Sequence, residues 1–485
     1  MIERMMNFYM KKNLIYNMIY QILIIIIPFI TIPYVSRVIG SDGVGIYSYT
    51  YSIVYYFMLF CLLGINNYGN REIAKSSSNK KELSRKFYEI YAIQVLCSII
   101  MILLYVIYIC FFSGEYRLIS LIEILYLFSA LFDINWLFFG LEKFKITISR
   151  NIIIKIITVI MIFIFVKNKS DVGVYVSILA LGQLLSQLIL WIFLHKEIAF
   201  VKVDIKEIKK HFKPILLLFI PVIAVSIYKI MDKTMIGWFS TINDVGFYEQ
   251  AEKILNFPLA IVGAIGTVMM PRMSNLVIQN EDKKIKKYIQ TTLELTLFVA
   301  FPIILGIICI SDNFIELYLG TEFMQSSRIL KLLSVSIIFT IIANIIRTQY
   351  LIPYEKDKIY IISVIIGAFV NLIMNLIFIP LYKSIGACIG TVSAEFFVML
   401  YQSHAVKDEI KVMKKTKKSL IFLFKSIIMG LSIYWLNYIN INIFLKILIQ
   451  IIIGIIVYSI LNINYIIRIS KDNNILSFKK NKSKI

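Results

Sequence analysis

Apolar stretches of about twenty residues recur along the whole chain, each long enough to cross a hydrocarbon core as a helix. The first, from Asn13 to Ser36, holds no charged residue. Backbone N–H and C=O groups inside hydrocarbon must be satisfied within the protein, so runs this long and this apolar confine the chain to membrane helices. Fourteen spans are expected, near 13–36, 44–65, 87–112, 117–140, 148–166, 172–195, 214–238, 246–270, 289–311, 328–350, 359–380, 385–405, 419–437 and 441–461. The expected fold class is an all-α integral membrane protein. Composition agrees, since 16% of the 485 residues are charged where a soluble protein carries about a quarter.

The net charge of +22 does not point to nucleic acid, because the basic residues sit in short clusters between apolar runs. If the spans alternate, one side receives Arg4, Lys11 and Lys12, then Arg71, Lys75, Lys80, Lys81, Arg85 and Lys86, and later the group from Lys196 to Lys213. The other side has little beyond Arg37, Arg117, Lys167, Lys169, Arg328, Lys383 and Lys446. The excess is roughly fivefold, which places both termini in the cytoplasm. Trp136 and Trp191 fall near expected inner ends and Trp238 and Trp435 near outer ends, as interfacial aromatics prefer. The first run is too long, and too polar at Asn17, Gln21 and Thr31, for a signal-peptide core, and is read as a retained span.

Cys61, Cys97, Cys110, Cys309 and Cys388 lie in apolar runs with no CxxC pair. His195, His211 and His404 lie near basic loops without ligand spacing, so no metal or organic cofactor is expected.

The chain repeats itself. Glu142, Lys143, Lys145 and Gly173 reappear as Glu355, Lys356, Lys358 and Gly386 with the same internal spacing. A second echo sets Val44-Gly45-Ile46-Tyr47 against Val245-Gly246-Phe247-Tyr248. Six spans per half is an even number, so the halves share one orientation and enclose a path between them, as in many carriers. The expected organisation is a six-helix lobe over 1–195, a cytoplasmic linker over 196–213, a second six-helix lobe over 214–405, and two additional helices with a basic tail over 406–485. Pro28 and Pro33, and Pro214 and Pro221, permit bends in the first helix of each half.

Several span ends resemble a known family. Pro33-Tyr34-Val35-Ser36-Arg37-Val38-Ile39-Gly40 precedes Gly43-Val44-Gly45-Ile46-Tyr47. Asn70-Arg71-Glu72-Ile73-Ala74 follows span two, and Asn135-Trp136-Leu137-Phe138-Phe139-Gly140-Leu141-Glu142-Lys143-Phe144 closes span four. Span seven carries Tyr228-Lys229-Ile230-Met231-Asp232-Lys233, then Gly237. In this order the series is similar to the polysaccharide-export branch of the multidrug/oligosaccharidyl-lipid/polysaccharide superfamily, including O-antigen (Wzx-type) flippases. The resemblance covers nearly the whole chain. It implies a MATE-like fold in a bacterial cytoplasmic (inner) membrane. The implied activity is transfer of polyprenyl-diphosphate-linked sugar units to the outer leaflet. Contacts with glycosyltransferases and the polymerase of the same pathway are expected with it.

Ionisable residues within spans are the leading site candidates, since a charge in hydrocarbon costs several kcal/mol unless paired or hydrated. Lys229, Asp232 and Lys233 share one face of span seven, where two lysines a turn apart suit a diphosphate. The alternative is a salt bridge from either lysine to Asp232. Arg37, Lys253 and Asn371 complete the expected substrate set, and Asp133 and Glu395 are the expected coupling-ion residues for a proton or sodium ion.

Two rivals stand beside a flippase. A drug exporter of the same superfamily would share the fold and bind cations. A membrane polymerase or glycosyltransferase would need a substantial outer loop with catalytic groups. The outer segments are short, and no nucleophile–base pair, nucleotide loop or metal cluster is found, so an enzyme is not expected.

Overall fold

The structure, a computed structural model, describes the backbone of residues 2–202, 204–410 and 412–471. The expected basic tail beyond Lys471, and the side chains of Arg4, Lys11 and Lys12, lie outside the described residues. Every described element is helical. Ten helices are long and apolar enough to cross a membrane, or twelve when each of two bent pairs is taken as one span. The expected fourteen is not reached among the described residues. One reason is that expected spans one and two lie in one element, α1 (Ile2–Leu62), divided by a break at Gly40, whose φ is 70°.

The chain forms two units. The first comprises residues 1–250 and 375–384. It contains α1, α2 (Ile65–Ser76), α3 (Lys80–Phe111), α4 (Arg117–Leu131), α5 (Asn135–Gly140), α6 (Phe144–Phe165), α7 (Val172–Glu197), α8 (Ile205–Phe239) and the start of α9 (Ile242–Ile278). Side chains such as Leu96, Leu103 and Ile107 on α3 are exposed, as expected of a lipid-facing stripe. α1 runs helical through Pro28 and Pro33 and breaks at Gly40 instead. α8 bends by 53° between Ile205–Ser226 and Lys229–Phe239, downstream of Pro214 and Pro221.

α4 and α5 are one interrupted span. The Gln94 side-chain amide donates to the carbonyls of Ala130 and Asp133, both at 2.8 Å, and so satisfies backbone groups freed by the interruption. Trp136 donates its indole N–H to Gln94 at 3.1 Å. It is wholly buried and stacks on Phe87, with ring centroids 5.5 Å apart. Trp136 therefore packs in the protein core rather than facing lipid. α2 meets α5 so closely that a Cβ on Gly69 would stand 2.5 Å from the indole, which draws the ring into the core.

The second unit comprises residues 251–374 and 385–485. It contains the rest of α9, then α10 (Asp282–Tyr318), α11 (Met324–Ser334), α12 (Ser336–Ile346), a π-turn (Arg347–Leu351), α13 (Asp357–Tyr382), α14 (Ser384–Ala405), α15 (Val412–Tyr434), α16 (Ile443–Leu461) and α17 (Ile463–Lys471). α15 packs on α10 and α16 on both, through Cys309, Met429, Ile433 and Tyr458.

Within each unit the sequence repeat is a structural repeat. Glu142 has φ 56° and Glu355 φ 55°, a left-handed conformation uncommon for a residue with a Cβ. The next amide reaches back five residues in both places, Lys143 to Phe138 and Lys356 to Leu351, at 2.8 Å. Each lysine then ties its turn to a later acid, Lys143 to Glu197 and Lys356 to Glu409. Repetition of the turn and the tie explains why the Glu-Lys pair is legible as a repeat.

Glycine adopts φ > 0 without the steric penalty of a Cβ, so Glu142→Gly should raise the melting temperature and Glu142→Val lower it, by about 1 kcal/mol each way. Thermal unfolding in detergent measures this, and a lower value for Glu142→Gly would contradict it. The hydrogen bond from the Lys356 ammonium holds the Glu409 carboxyl below its ordinary range. Its stabilising contribution is present above the ordinary carboxylate pKa and is lost as pH falls through the lowered value. Glu409→Gln should therefore lower the melting temperature at pH 7, with the difference vanishing in acid; a constant difference would sink this reading.

Candidate transport site

The second echo marks where the repeats meet. In the first unit, the limb of α1 after Gly40 crosses the start of α9 with almost no space between backbones. A Cβ on Gly45 would stand 2.0 Å from the carbonyl oxygen of Ile242, and one on Gly246 would stand 2.2 Å from that of Ser41. The contact is reciprocal. Ser41 corresponds to Ile242 and Gly45 to Gly246 in the repeat, each glycine facing the other repeat's carbonyl. Ser48 and Glu249, also repeat-equivalent, hydrogen-bond directly, the serine hydroxyl donating at 2.8 Å. Only glycine permits this approach. Asn243 donates to Ser41 at 3.0 Å beside the crossing.

The second limb of α8 lies against the same limb of α1, with Thr234 and Ser52 hydroxyls 2.8 Å apart. The bend places its ionisable residues in different settings. Lys233 forms an ion pair with Glu249 at 2.5 Å. Asp232, buried at 2% exposure, accepts hydrogen bonds from Tyr248 and from Asn375, each at 2.6 Å. Lys229, at the start of the limb, is exposed and has no partner among the described residues. The three residues thus share a helix, and an ion pair joins Lys233 to Glu249.

Asp133 lies in the interruption after α4, where its carboxylate accepts from the Asn135 backbone at 2.9 Å and side chain at 2.7 Å. Asn135 also donates to Gln187 at 2.9 Å and accepts from Arg150 at 2.9 Å, so Asp133 belongs to a network joining α5, α6 and α7. Arg37 is exposed on α1. Lys253 on α9, Asn371 on α13 and Glu395 on α14 belong to the second unit; Asn371 is fully buried and the other two are half-buried.

Sequence reasoning passed over Ser48, Tyr248 and Glu249 as site residues, and weighed Asn375 with Asn371 only as a contact for sugar hydroxyls. The Val-Gly-X-Tyr echo carried the signal for three of them, since Tyr248 lies within it and Ser48 and Glu249 follow it directly. Glu89 forms a separate buried junction, accepting from Arg85 at 2.9 Å and Lys86 at 3.2 Å and lying 2.8 Å from His211, which meets Tyr68 at 2.6 Å.

Residues 10–277, more than half of the chain, match the family described as polysaccharide biosynthesis protein. The chain belongs to that family. Residues 218–377 also match the MatE family. The chain is 25% identical over 403 residues to a proposed O-antigen transporter of Shigella dysenteriae, spanning 82% of this chain and 100% of the relative. It is 23% identical over 395 residues to one of Escherichia coli, covering 80% and 94%. Its fold is that of the lipid II flippase MurJ in an inward closed conformation, with a TM-score of 0.74 at 19% identity over 94% of this chain and 99% of the other.

Over-packing a close contact costs about 1–3 kcal/mol. Gly45→Ala and Gly246→Ala should each lose stability on that scale. Gly173→Ala is the control, because its added Cβ meets nothing nearer than 3.8 Å. Thermal unfolding of the three purified variants tests this, and equal melting temperatures would remove the crossing as a constraint.

Proposed function

We propose that this polysaccharide biosynthesis protein is a lipid-linked oligosaccharide flippase, moving polyprenyl-diphosphate-linked sugar units from the cytoplasmic to the outer leaflet of a bacterial inner membrane. The observation that carries the reading is the meeting of two repeats through equivalent residues, with an ionisable helix limb beside the contact. That is the arrangement of a carrier whose two halves alternate. The names of the full-length relatives supply the substrate class.

The physical need is clear. Sugar hydroxyls and a diphosphate lose their hydrogen bonds in hydrocarbon, at several kcal/mol per group. A hydrated path lined by protein removes that barrier while the lipid tail stays in the bilayer. In this mechanism the exposed Lys229 meets the diphosphate through charge-assisted hydrogen bonds. Lys233 is committed to Glu249 and acts in closing the crossing. An inside-negative potential favours outward movement of each net negative charge by about 2.3 kcal/mol per 100 mV. Both termini face the cytoplasm in this reading, where glycosyltransferases and the polymerase of the same pathway are the proposed contacts.

Leaflet transfer of a fluorescent polyprenyl-diphosphate oligosaccharide in proteoliposomes is the test. Loss of a hydrogen bond to a charged group costs about 1.5–3 kcal/mol, so Lys229→Gln should slow transfer roughly tenfold or more. Lys233→Gln leaves Glu249 buried without its cation and should instead destabilise the protein by about 3–5 kcal/mol. Absence of transfer across several glycans, with saturable efflux of a cationic dye, would replace the flippase with a drug exporter.

A further inference from the structure

Six carboxyl groups of the first unit are buried among the described residues, and five are met by several donors or by a cation. Glu89 has Arg85, Lys86 and His211, and Glu249 has Lys233 and Ser48. Asp232 has Tyr248 and Asn375, Asp244 has Ser240, Thr241 and Ser384, and Asp133 has the two amide donors of Asn135. Glu123 on α4 is different. It is fully buried, with one oxygen accepting from the Thr50 hydroxyl at 2.9 Å and the other, Oε2, without a partner. No cation pairs with it among the described residues.

The titratable groups facing Glu123 are phenols from each packed helix. Tyr51 stands on α1, Tyr105 and Tyr108 on α3, and Tyr126 on α4 itself. Tyr47 and Tyr175 extend the cluster, Tyr47 lying 3.4 Å from the Tyr126 hydroxyl and packing edge-on against Tyr175. The Lys233–Glu249 pair lies beyond, within electrostatic reach of Tyr51. The Tyr105 hydroxyl is buried beside the carboxyl and interacts with it without reaching normal hydrogen-bond geometry. A bare carboxylate among such neighbours lacks the countercharge that burial demands. A proton on the carboxyl removes the charge and gives the unpartnered oxygen a hydrogen to donate.

We propose that Glu123 is a proton-exchange site of the transport cycle. It takes one proton from water, holds it as a carboxylic O–H while the pocket is closed, and returns it to water when helix movement hydrates the pocket. A proton needs only the one free oxygen, whereas a sodium ion needs a shell of them. This inference rests on the flippase reading for its role in transport, and its protonation can be tested apart from transport.

Infrared difference spectra of the purified full-length protein, titrated with acid in H2O and D2O, should contain a buried protonated-carboxyl band that Glu123→Gln removes. Thr50→Val, which withdraws the threonine's hydrogen bond, should shift that band. A band unchanged in both variants would overturn the proposal. In proteoliposomes with the fluorescent oligosaccharide lipid, an acid-outside gradient should accelerate transfer by the native chain, and Glu123→Gln should lose that acceleration while keeping ungated exchange. Acceleration by a sodium gradient instead, lost in Glu123→Gln, would overturn the proton in favour of sodium. If the native chain transfers no lipid, the flippase reading fails, and the infrared band alone still decides whether Glu123 binds the proton.

Discussion

The close approach of Gly45 and Gly246 is the contact on which the rest of the first unit depends. Two glycines, each facing a carbonyl of the other repeat, allow helices to meet at a distance no side chain would permit. That approach sets Ser48 against Glu249, which in turn positions Lys233, while the same stretch of α9 brings Tyr248 to Asp232. A polar belt thus forms beside the close backbone contact. Close packing without a covalent or metal tie is strong enough to persist and weak enough to part, which is what a transport cycle needs of a closure.

The hydrocarbon environment explains the rest of the polar architecture. Many polar residues inside the spans have found work within the protein. Gln94 repairs the interrupted fourth span, Asp133 accepts from the amides of Asn135, and Asn375 meets Asp232. These residues resemble functional groups when seen in sequence because membrane helices carry few polar side chains at all. Most serve the fold. Glu123, fully buried with no cation beside it and only the Thr50 hydroxyl in normal hydrogen-bond geometry, stands apart from that pattern.

Much of the architecture was legible in the sequence. Apolar runs gave the helical membrane class, and the Glu-Lys echo marked turns that share a left-handed glutamate in both units. The span count was less legible, because helices one and two meet at Gly40 without an intervening loop and two other spans are bent. The core packing of Trp136 was not legible, because an aromatic near a span end reads the same whether or not a glycine such as Gly69 opens a core position for it. The site was legible only in part. Spacing on one helix grouped Lys229, Asp232 and Lys233, but the partners of Asp232 and Lys233 lie on α9 and α13, and a helical period says nothing about neighbours so distant in sequence. The Val-Gly-X-Tyr echo held that information, since a repeat element at a contact tends to meet its own counterpart.

The central claim is that the glycine crossing opens and closes as the carrier works. The most direct measurement is the distance between spin labels at Asp42 and Thr241, two exposed positions beside the crossing, by double electron–electron resonance in lipid nanodiscs. The account predicts a short distance in the resting protein and a second, longer population that grows when a polyprenyl-diphosphate oligosaccharide is added. A single short distance under every condition would make the crossing a fixed joint and contradict the account.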